Sequence, residues 1–313
     1  CHYLHGTLNN NILEDKTLSN TVKKDRWPVI DTHCHIGVNL INTFDAEKEL
    51  IPYMDKNGVD IQVVFQVNEG FCHRTPDWNP YVGNDYIAKI QRMNPKRIIG
   101  LATINPWNQR PKTYNYPPEG EGRPMDLPIR DEALEELDRC ILDLGLNGLK
   151  MHPLEHNYEI NNPTVVYPVL QRLTELQEKT GRKMLVVVHA AGDSVNNTAT
   201  AMAETAKAFP DLLFLAAHAG FIWCYGTTSA VSIPVPNLML DLTLNVGPYS
   251  VKEAYTAVGP SRFTIGTDGP FDLSEIKDPI VRALTGDDQE AYELIMGGNI
   301  AKYLGIPKIK LED

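Results

Sequence analysis

Eight short apolar segments alternate along the chain with longer segments that have helical periodicity. This alternation is typical of successive βα units, in which parallel strands are joined by helical crossovers. The predicted strands are residues 29–33, 61–66, 98–104, 148–151, 184–189, 212–217, 238–242 and 263–266. The predicted helices are residues 46–56, 84–93, 131–144, 165–179, 198–208, 251–257 and 289–304, and the crossover around 222–236 has the weakest helical pattern.

Eight strands with intervening crossovers predict an α/β fold of the (β/α)8 TIM-barrel type, which the length of 313 residues permits. An open doubly wound sheet usually has fewer strands and often a glycine-rich phosphate loop, and no such loop follows the first strand here. We expect the barrel at residues 27–313, preceded by a polar N-terminal extension at 1–26. A long loop after the third strand, residues 105–128, is expected at the rim of the barrel mouth.

The charge and the cysteines narrow the classes of function. A formal net charge of -11 without a long basic run argues against a nucleic-acid partner and favours a small-molecule substrate. No apolar run approaches the ~20 residues that a membrane span requires. Five scattered cysteines indicate a reducing compartment and predict a cytoplasmic location, while the first residue, Cys1, leaves a removed leader open. A homo-oligomer is an open alternative to a monomer.

The stretch DTHCHIG ends the first predicted strand with two histidines one residue apart. Side chains alternate between the two faces of an extended strand, so His33 and His35 are expected to point the same way. Two imidazoles that converge in this way suit a metal ion, but they are only half of a ligand set. A chance His-x-His pair is the alternative, and the rest of the chain has to supply the missing ligands.

Other ionisable side chains lie at or just beyond the carboxyl ends of later strands, where barrel enzymes carry their active sites. A hydrogen-bonded core histidine is the alternative for any one of them, but several ionisable strand ends on one rim argue against coincidence. Imidazoles and a carboxylate are ligands that Zn²⁺, Mn²⁺ and Fe²⁺ prefer. The residues concerned are Lys150 and His152 on the fourth strand, His189 on the fifth, His218 on the sixth and Asp268 after the eighth.

The motifs around these residues are VVVHAAG, LAAHAG, IGTDGPF and the C-terminal GGNIAKYLGI, together with the HxH pair. In combination they resemble the amidohydrolase superfamily, and within it the amidohydrolase-2 group of aminocarboxymuconate-semialdehyde decarboxylase-like, metal-dependent hydrolases and decarboxylases. The resemblance runs over residues 31–306. It implies that His218 acts as an acid or base beside a metal-bound water. It also implies four ligands for a divalent metal, which are His33, His35, His189 and Asp268.

Lys150 departs from the pattern of the one-metal decarboxylases in this group. In two-metal members of the superfamily a carboxylated lysine on the fourth strand bridges the ions, and GLKMHP resembles such a segment. One expectation is therefore a second metal bridged by carboxylated Lys150, with His218 as its ligand. The other is an uncarboxylated Lys150 that binds a substrate carboxylate as a point charge. His152, on the same strand face, and Arg74, in the loop after the second strand, are further candidates for substrate binding.

The resulting prediction is a metal-dependent hydrolase of a small carboxylated or cyclic amide, ester or lactone. A divalent metal would lower the pKa of its bound water towards about 7, and Asp268 or His218 would take the proton. Zinc is favoured, with manganese or iron as alternatives. The alternative reaction is non-oxidative decarboxylation of an aromatic or unsaturated carboxylate with the same ligands. A barrel that only binds a ligand is the rival class, although it has no need of a full ligand set.

Overall fold

The computed structural model describes residues 25–37, 44–66, 80–109, 132–191, 194–219, 231–244, 248–269 and 277–311. Within these residues every paired strand segment runs parallel to its neighbours. The segments are β1 Ile30–Ile36, β2 Ile61–Gln66, β3 Ile98–Gly100, β4 Ala102–Thr103, β5 Gly148–Met151, β6 Leu185–His189, β7 Leu213–Ala217, β8 Leu238–Asp241 and β9 Phe263–Thr264.

The third predicted strand, 98–104, is divided at Leu101 into β3 and β4, so the described segments correspond to the eight predicted strands. One hydrogen-bonded ladder has the order β1-β2-β3 and a second has the order β4 to β9. The interruption is local, because the Leu101 backbone N–H still donates to the carbonyl of Val64 in β2 at 2.9 Å. The strand order therefore follows the order of the chain, as it does in a barrel.

The two ends of this strand series lie side by side. Asp31 of β1 forms a parallel bridge with Ile265, just after β9, and Cys34 forms another with Gly269. The backbone N–H of Thr32 donates to the carbonyl of Ile265 at 3.0 Å across the same junction. Parallel contact between the first and last strands is what a closed barrel requires. The predicted (β/α)8 architecture is confirmed.

Helices lie between most of the strands, as the sequence periodicity predicts. Asp45 begins the first of them, since its side chain accepts a hydrogen bond from the Glu47 N–H, and Gly181 ends the fourth at φ 66°. The described helices are α1 Ala46–Lys56, α2 Pro80–Met93, α3 Glu132–Asp138, α4 Tyr167–Thr180, α5 Ala199–Ala208, α6 Pro248–Val258, α7 Lys277–Thr285, α8 Gln289–Glu293 and α9 Asn299–Leu304.

Three features of the helical layer differ from the expectation. Helix α7 was not predicted, because the short stretch KDPIVRALT has a proline near its start, although the first helical turn tolerates proline. The predicted helices 131–144 and 289–304 each contain a π-helical turn, at 139–143 and 294–298. Such turns place one extra residue in a turn and are not visible in a 3.6-residue periodicity.

The apolar core has one layer inside the barrel and another between the strands and the helices. Side chains such as Val63, Phe65 and Leu215 form the interior cluster, whereas Val64 and Val186 face the helices. Alternate residues of each strand therefore serve different layers. Within the described residues, no helix combines the length and the apolar character that a bilayer span requires.

Two predicted segments lie largely outside the described residues. The predicted extension is described only at its last two residues, and Arg26 there forms an antiparallel bridge with Ile309. The division of the chain at residue 26 stays a prediction. The predicted long loop after the third strand begins with a 3₁₀ turn at Pro106–Gln109, and residues 110–131 lie outside the described residues.

Candidate metal centre

β1 begins with an apolar side chain in the barrel interior, and near its end it carries two histidines that also face the interior. Its register against β2 shifts between positions 31 and 34. Ile30 belongs to the interior cluster, and beyond the shift His33 and His35 both contact Phe65, with ring centroids 5.0 and 4.7 Å away. Strict alternation from Ile30 would have turned both histidines to the other face. The local irregularity of β1 therefore directs them inwards, as β-bulges near active sites do.

Three potential ligand atoms converge at the carboxyl end of the barrel. His33 Nε2 lies 3.0 Å from His35 Nε2. Asp268 Oδ1 lies 3.1 Å from the first of these nitrogens and 3.2 Å from the second. One donor atom from each of the three residues lies within 4.8 Å of the others, so a single cation could contact all three. Two imidazoles and a carboxylate are a donor set for Zn²⁺ or Mn²⁺, so the side chains fit a divalent metal.

Asp268 is held in this position by its own backbone. Its φ angle is 61°, a left-handed conformation that is uncommon outside glycine and occurs often at functional sites. Its backbone N–H donates to the carbonyl of His33 at 2.9 Å, which joins the two ligand-bearing segments. Burial raises the pKa of Asp268, but its contacts with the ring nitrogens of His33 and His35 outweigh burial and hold that pKa well below its usual range. The carboxylate is therefore ionised and available as a ligand.

Asp31 joins the same two segments from beneath the ligand cluster. Its Oδ1 accepts hydrogen bonds from the backbone N–H groups of His33, at 3.1 Å, and Thr267, at 3.0 Å. Its Oδ2 accepts a hydrogen bond from the Thr267 hydroxyl at 2.6 Å. Burial raises the pKa of Asp31 to about 6, and these hydrogen bonds oppose that shift. Asp31 therefore fixes the spacing between the HxH segment and the segment that carries Asp268.

Lys150 is fully buried beside the ligand cluster. Its Nζ lies 3.3 Å from His33 Nε2 and 4.7 Å from the centroid of the Phe65 ring. Burial lowers the pKa of His33 well below its usual value, and the charge of Lys150 lowers it further. His33 is therefore neutral, which is the form that binds a metal.

The three remaining strand-end histidines form a row of rings next to the cluster. The His218 centroid lies 5.0 Å from that of His33 and 4.8 Å from that of His189, which in turn stacks on His152 at 4.0 Å. His218 has φ 63° and is almost completely buried. Burial lowers the pKa of His218 and of His152 well below the usual histidine value. His189 is thus adjacent to the cluster through its ring contacts but is not one of the three converging donors.

Comparison with known proteins identifies the family to which the chain belongs. The family model described as amidohydrolase matches residues 30–306. The chain belongs to the amidohydrolase family. A 2-amino-3-carboxymuconate-6-semialdehyde decarboxylase of Dictyostelium discoideum is 22% identical over an alignment 331 positions long, which covers 90% of this chain and 85% of that protein. The predicted resemblance to the amidohydrolase-2 group is confirmed.

Solved structures also share the fold of this amidohydrolase. The 5-carboxyvanillate decarboxylase of Sphingomonas paucimobilis matches with a TM-score of 0.58 at 16% identity and covers 84% of each chain. A dihydroxybenzoic acid decarboxylase of Polaromonas sp. JS666, with bound manganese and the inhibitor 2-nitroresorcinol, has a TM-score of 0.62 at 14% identity. That match covers 90% of this chain and 97% of that chain.

The sequence analysis did not identify two buried carboxylates of this amidohydrolase as site residues. It also named one candidate site residue that lies outside the described residues. Asp31 and Asp241 both contact His33 from beneath, and burial raises the pKa of Asp241 to about 6. Asp241 ends β8, so its position at a strand end was the signal that could have identified it. Arg74, the predicted substrate-binding arginine, lies outside the described residues.

Proposed function

We propose that this amidohydrolase is a metal-dependent decarboxylase that removes a carboxyl group from a small aromatic or unsaturated carboxylate without net oxidation. The observation that supports the proposal is the convergence of His33, His35 and Asp268 beside the buried Lys150. Relatives across most of the chain's length are decarboxylases of a carboxymuconate semialdehyde and of substituted benzoates. Hydrolysis of an amide, ester or lactone, the leading expectation from the sequence, has no comparable support.

The metal would be held by His33, His35 and Asp268, with His189 proposed as the fourth ligand from the end of β6. When bound, a divalent metal supplies positive charge that polarises a substrate oxygen and stabilises developing negative charge. The donor set favours zinc. Manganese is the alternative, and the manganese bound in the Polaromonas relative supports that alternative. A second metal bridged by carboxylated Lys150 stays a separate prediction, which a count of metal per chain decides.

Lys150 is proposed to bind the substrate carboxylate. Its ammonium group is fixed 3.3 Å from His33 Nε2, with the apolar Phe65 ring beneath it, so it is shielded from bulk water. A charge in such surroundings attracts a carboxylate more strongly than the same charge on the surface. His152, stacked on His189, would form part of the wall of the same pocket. Arg74 stays a predicted residue for binding the substrate carboxylate.

The reaction requires one proton to be delivered. The bond between the carboxyl carbon and the adjacent substrate carbon breaks, and carbon dioxide leaves. The electron pair of the broken bond stays on the adjacent carbon, which takes up the proton. His218 and Asp268 are the groups proposed to transfer that proton, because Asp268 is one of the three converging donors and the His218 ring lies next to them. Both residues have backbone conformations fixed at positive φ. Burial of His218 excludes bulk water from this proton path.

Release of carbon dioxide tests the proposal. The metal-loaded protein is supplied with carboxyl-¹³C-labelled hydroxybenzoates and unsaturated carboxylates, and with a parallel panel of amides, esters and lactones. Labelled carbon dioxide from the first panel, with no turnover of the second, is the expected result. Hydrolysis in the second panel without carbon dioxide from the first would overturn the proposal.

Two lysine variants test the role of Lys150 in the same assay. Lys150→Met is expected to raise KM roughly 10-fold or more, since a charge-assisted hydrogen bond contributes about 1.5–3 kcal/mol. Lys183→Met is the matched control, because Lys183 is an exposed lysine near the ring of Tyr303 and away from the cluster. Equal KM values for the two variants would refute substrate binding by Lys150.

Decarboxylation of an aromatic or unsaturated carboxylate implies a small-molecule substrate. A cytoplasmic location is proposed on the sequence alone, and a homo-oligomer stays an open alternative to a monomer. Neither is needed for the chemistry.

A further inference from the structure

The two ring nitrogens of His33 face different groups. Nε2 faces the donor cluster, where it lies near His35, Asp268 and Lys150. Nδ1 points to the opposite side and lies 3.5 Å from Oδ2 of Asp241. His33 Nδ1 and Asp241 Oδ2 are both fully buried, and neither has a hydrogen-bond partner of good geometry among the described residues. They are therefore two complementary polar atoms that lie at ion-pair distance from each other.

The chain around Asp241 is built to keep that carboxylate against His33. Its Oδ1 accepts a hydrogen bond from the backbone N–H of Thr243 at 3.0 Å, which fixes the rotation of the carboxylate. The segment that follows β9 passes between the two residues at Gly266. A Cβ at Gly266 would lie 2.7 Å from Asp241 Oδ1 and 2.7 Å from His33 Cβ. Only glycine allows this close passage, so the sequence at 266 serves the contact between Asp241 and His33.

A buried cation lies behind the carboxylate. Lys277, the first residue of α7, is 2% exposed, and its Nζ donates to the carbonyl of Leu242 at 2.8 Å, one residue beyond Asp241. Burial lowers the pKa of Lys277 to about 8, and Asp241 has the largest opposing effect among the nearby carboxylates. The Asp241 carboxylate and the Lys277 ammonium group are opposite charges buried near each other, and each reduces the cost of burying the other.

We propose that Asp241 is a positioning residue that holds His33 in the tautomer protonated at Nδ1, with its Nε2 lone pair directed at the metal, and that Lys277 supplies the counter-charge of Asp241. A histidine ligand commonly donates its second ring N–H to a carboxylate, which orients the ring and increases its basicity. This inference rests on the proposed metal site and deepens it. It assigns a task to two buried charged residues that lie outside the ligand cluster.

The tautomer is tested directly in the metal-free protein. Ring-¹⁵N-histidine spectra at neutral pH distinguish a protonated Nδ1 from a protonated Nε2, and His33→Gln identifies the His33 signals by their loss. The expected result is a His33 ring protonated at Nδ1. A ring protonated mainly at Nε2 would overturn the inference, even if every variant of Asp241 failed to fold.

Metal affinity tests the consequence. Titration of the metal-free protein with Mn²⁺ or Zn²⁺ alone is expected to show about 10–100-fold weaker binding for Asp241→Asn than for the natural chain. Glu136→Gln is the matched control. Glu136 is also a buried carboxylate, but it pairs with Arg139 and Asn84 around α3 and not with the cluster. Equal metal affinities for Asp241→Asn and Glu136→Gln would overturn the positioning role.

Lys277→Met tests the counter-charge. It is expected to weaken metal binding, and the Asp241→Asn/Lys277→Met double variant is expected to bind metal no more weakly than Asp241→Asn alone, because Lys277 acts through Asp241. Additive losses would refute the proposed link between the two residues. None of these measurements uses a substrate, so they can fail while carbon dioxide release still supports the proposed reaction, and the reverse also holds.

Discussion

Replacement of Gly266 by alanine is expected to damage stability and metal binding together. An added Cβ would lie 2.0 Å from Thr243 Oγ1 and 2.7 Å from both Asp241 Oδ1 and His33 Cβ, all well inside van der Waals contact. Overpacking in a filled core costs about 1–3 kcal/mol. We expect the upper end, about 3 kcal/mol, because the three atoms belong to short, buried side chains that have little freedom to move aside. Displacement of His33 would also weaken metal binding by about 10-fold or more.

Gly100→Ala provides the matched control. A Cβ at Gly100 would meet two side-chain methyl groups away from the ligand cluster, Leu146 Cδ2 at 2.7 Å and Ile87 Cγ2 at 2.8 Å. We expect about 1 kcal/mol of destabilisation and no change in metal affinity. Thermal unfolding followed by circular dichroism should show a Tm lowered by roughly 2 °C per kcal/mol, and metal titration gives the affinity. Equal stability and equal metal affinity for the two variants would refute the argument.

Three further perturbations test the same site. Thr267→Val removes the hydroxyl that donates to Asp31 at 2.6 Å and should cost about 2 kcal/mol, because the buried carboxylate loses a partner; an unchanged Tm would contradict this. Removal of metal by a chelator should lower the Tm, and metal restored to about 1,000 times its Kd should return about 4 kcal/mol of stability; a Tm independent of added metal would be evidence against a site in the folded state. His189→Ala should lose metal affinity, whereas His218→Ala should keep it and lose turnover; the opposite pattern would exchange the two proposed roles.

The parts of the fold that follow from local periodicity could be predicted from the sequence. The strand segments lie close to their predicted positions because each is a short apolar run. Asp45 begins a helix and Gly181 ends one, as their residue types indicate. The meeting of His33, His35 and Asp268 could also be anticipated, since carboxyl ends of barrel strands share one rim. That His33 and His35 share one face was expected from alternation within a strand.

Other features depend on contacts between distant segments, which periodicity does not encode. Simple alternation would have placed Ile30 and His33 on opposite faces, and the register shift in β1 is what lets both face the interior. Lys277 was overlooked because a lysine at the start of a short helix usually lies on the surface, whereas here its Nζ is buried and donates to the carbonyl of Leu242. The left-handed conformation of Asp268 likewise comes from hydrogen bonding across two strands.

Metal content per chain, measured by mass spectrometry of the purified protein with and without added Zn²⁺ or Mn²⁺, tests most directly whether His33, His35 and Asp268 hold a cation. One equivalent in the natural chain and in Lys183→Met, with most of it lost in His33→Ala and Asp268→Asn at unchanged circular dichroism, is the predicted result. A natural chain that takes up no metal at any supplied concentration, or a folded His33→Ala that keeps its full equivalent, would contradict the proposed metal centre.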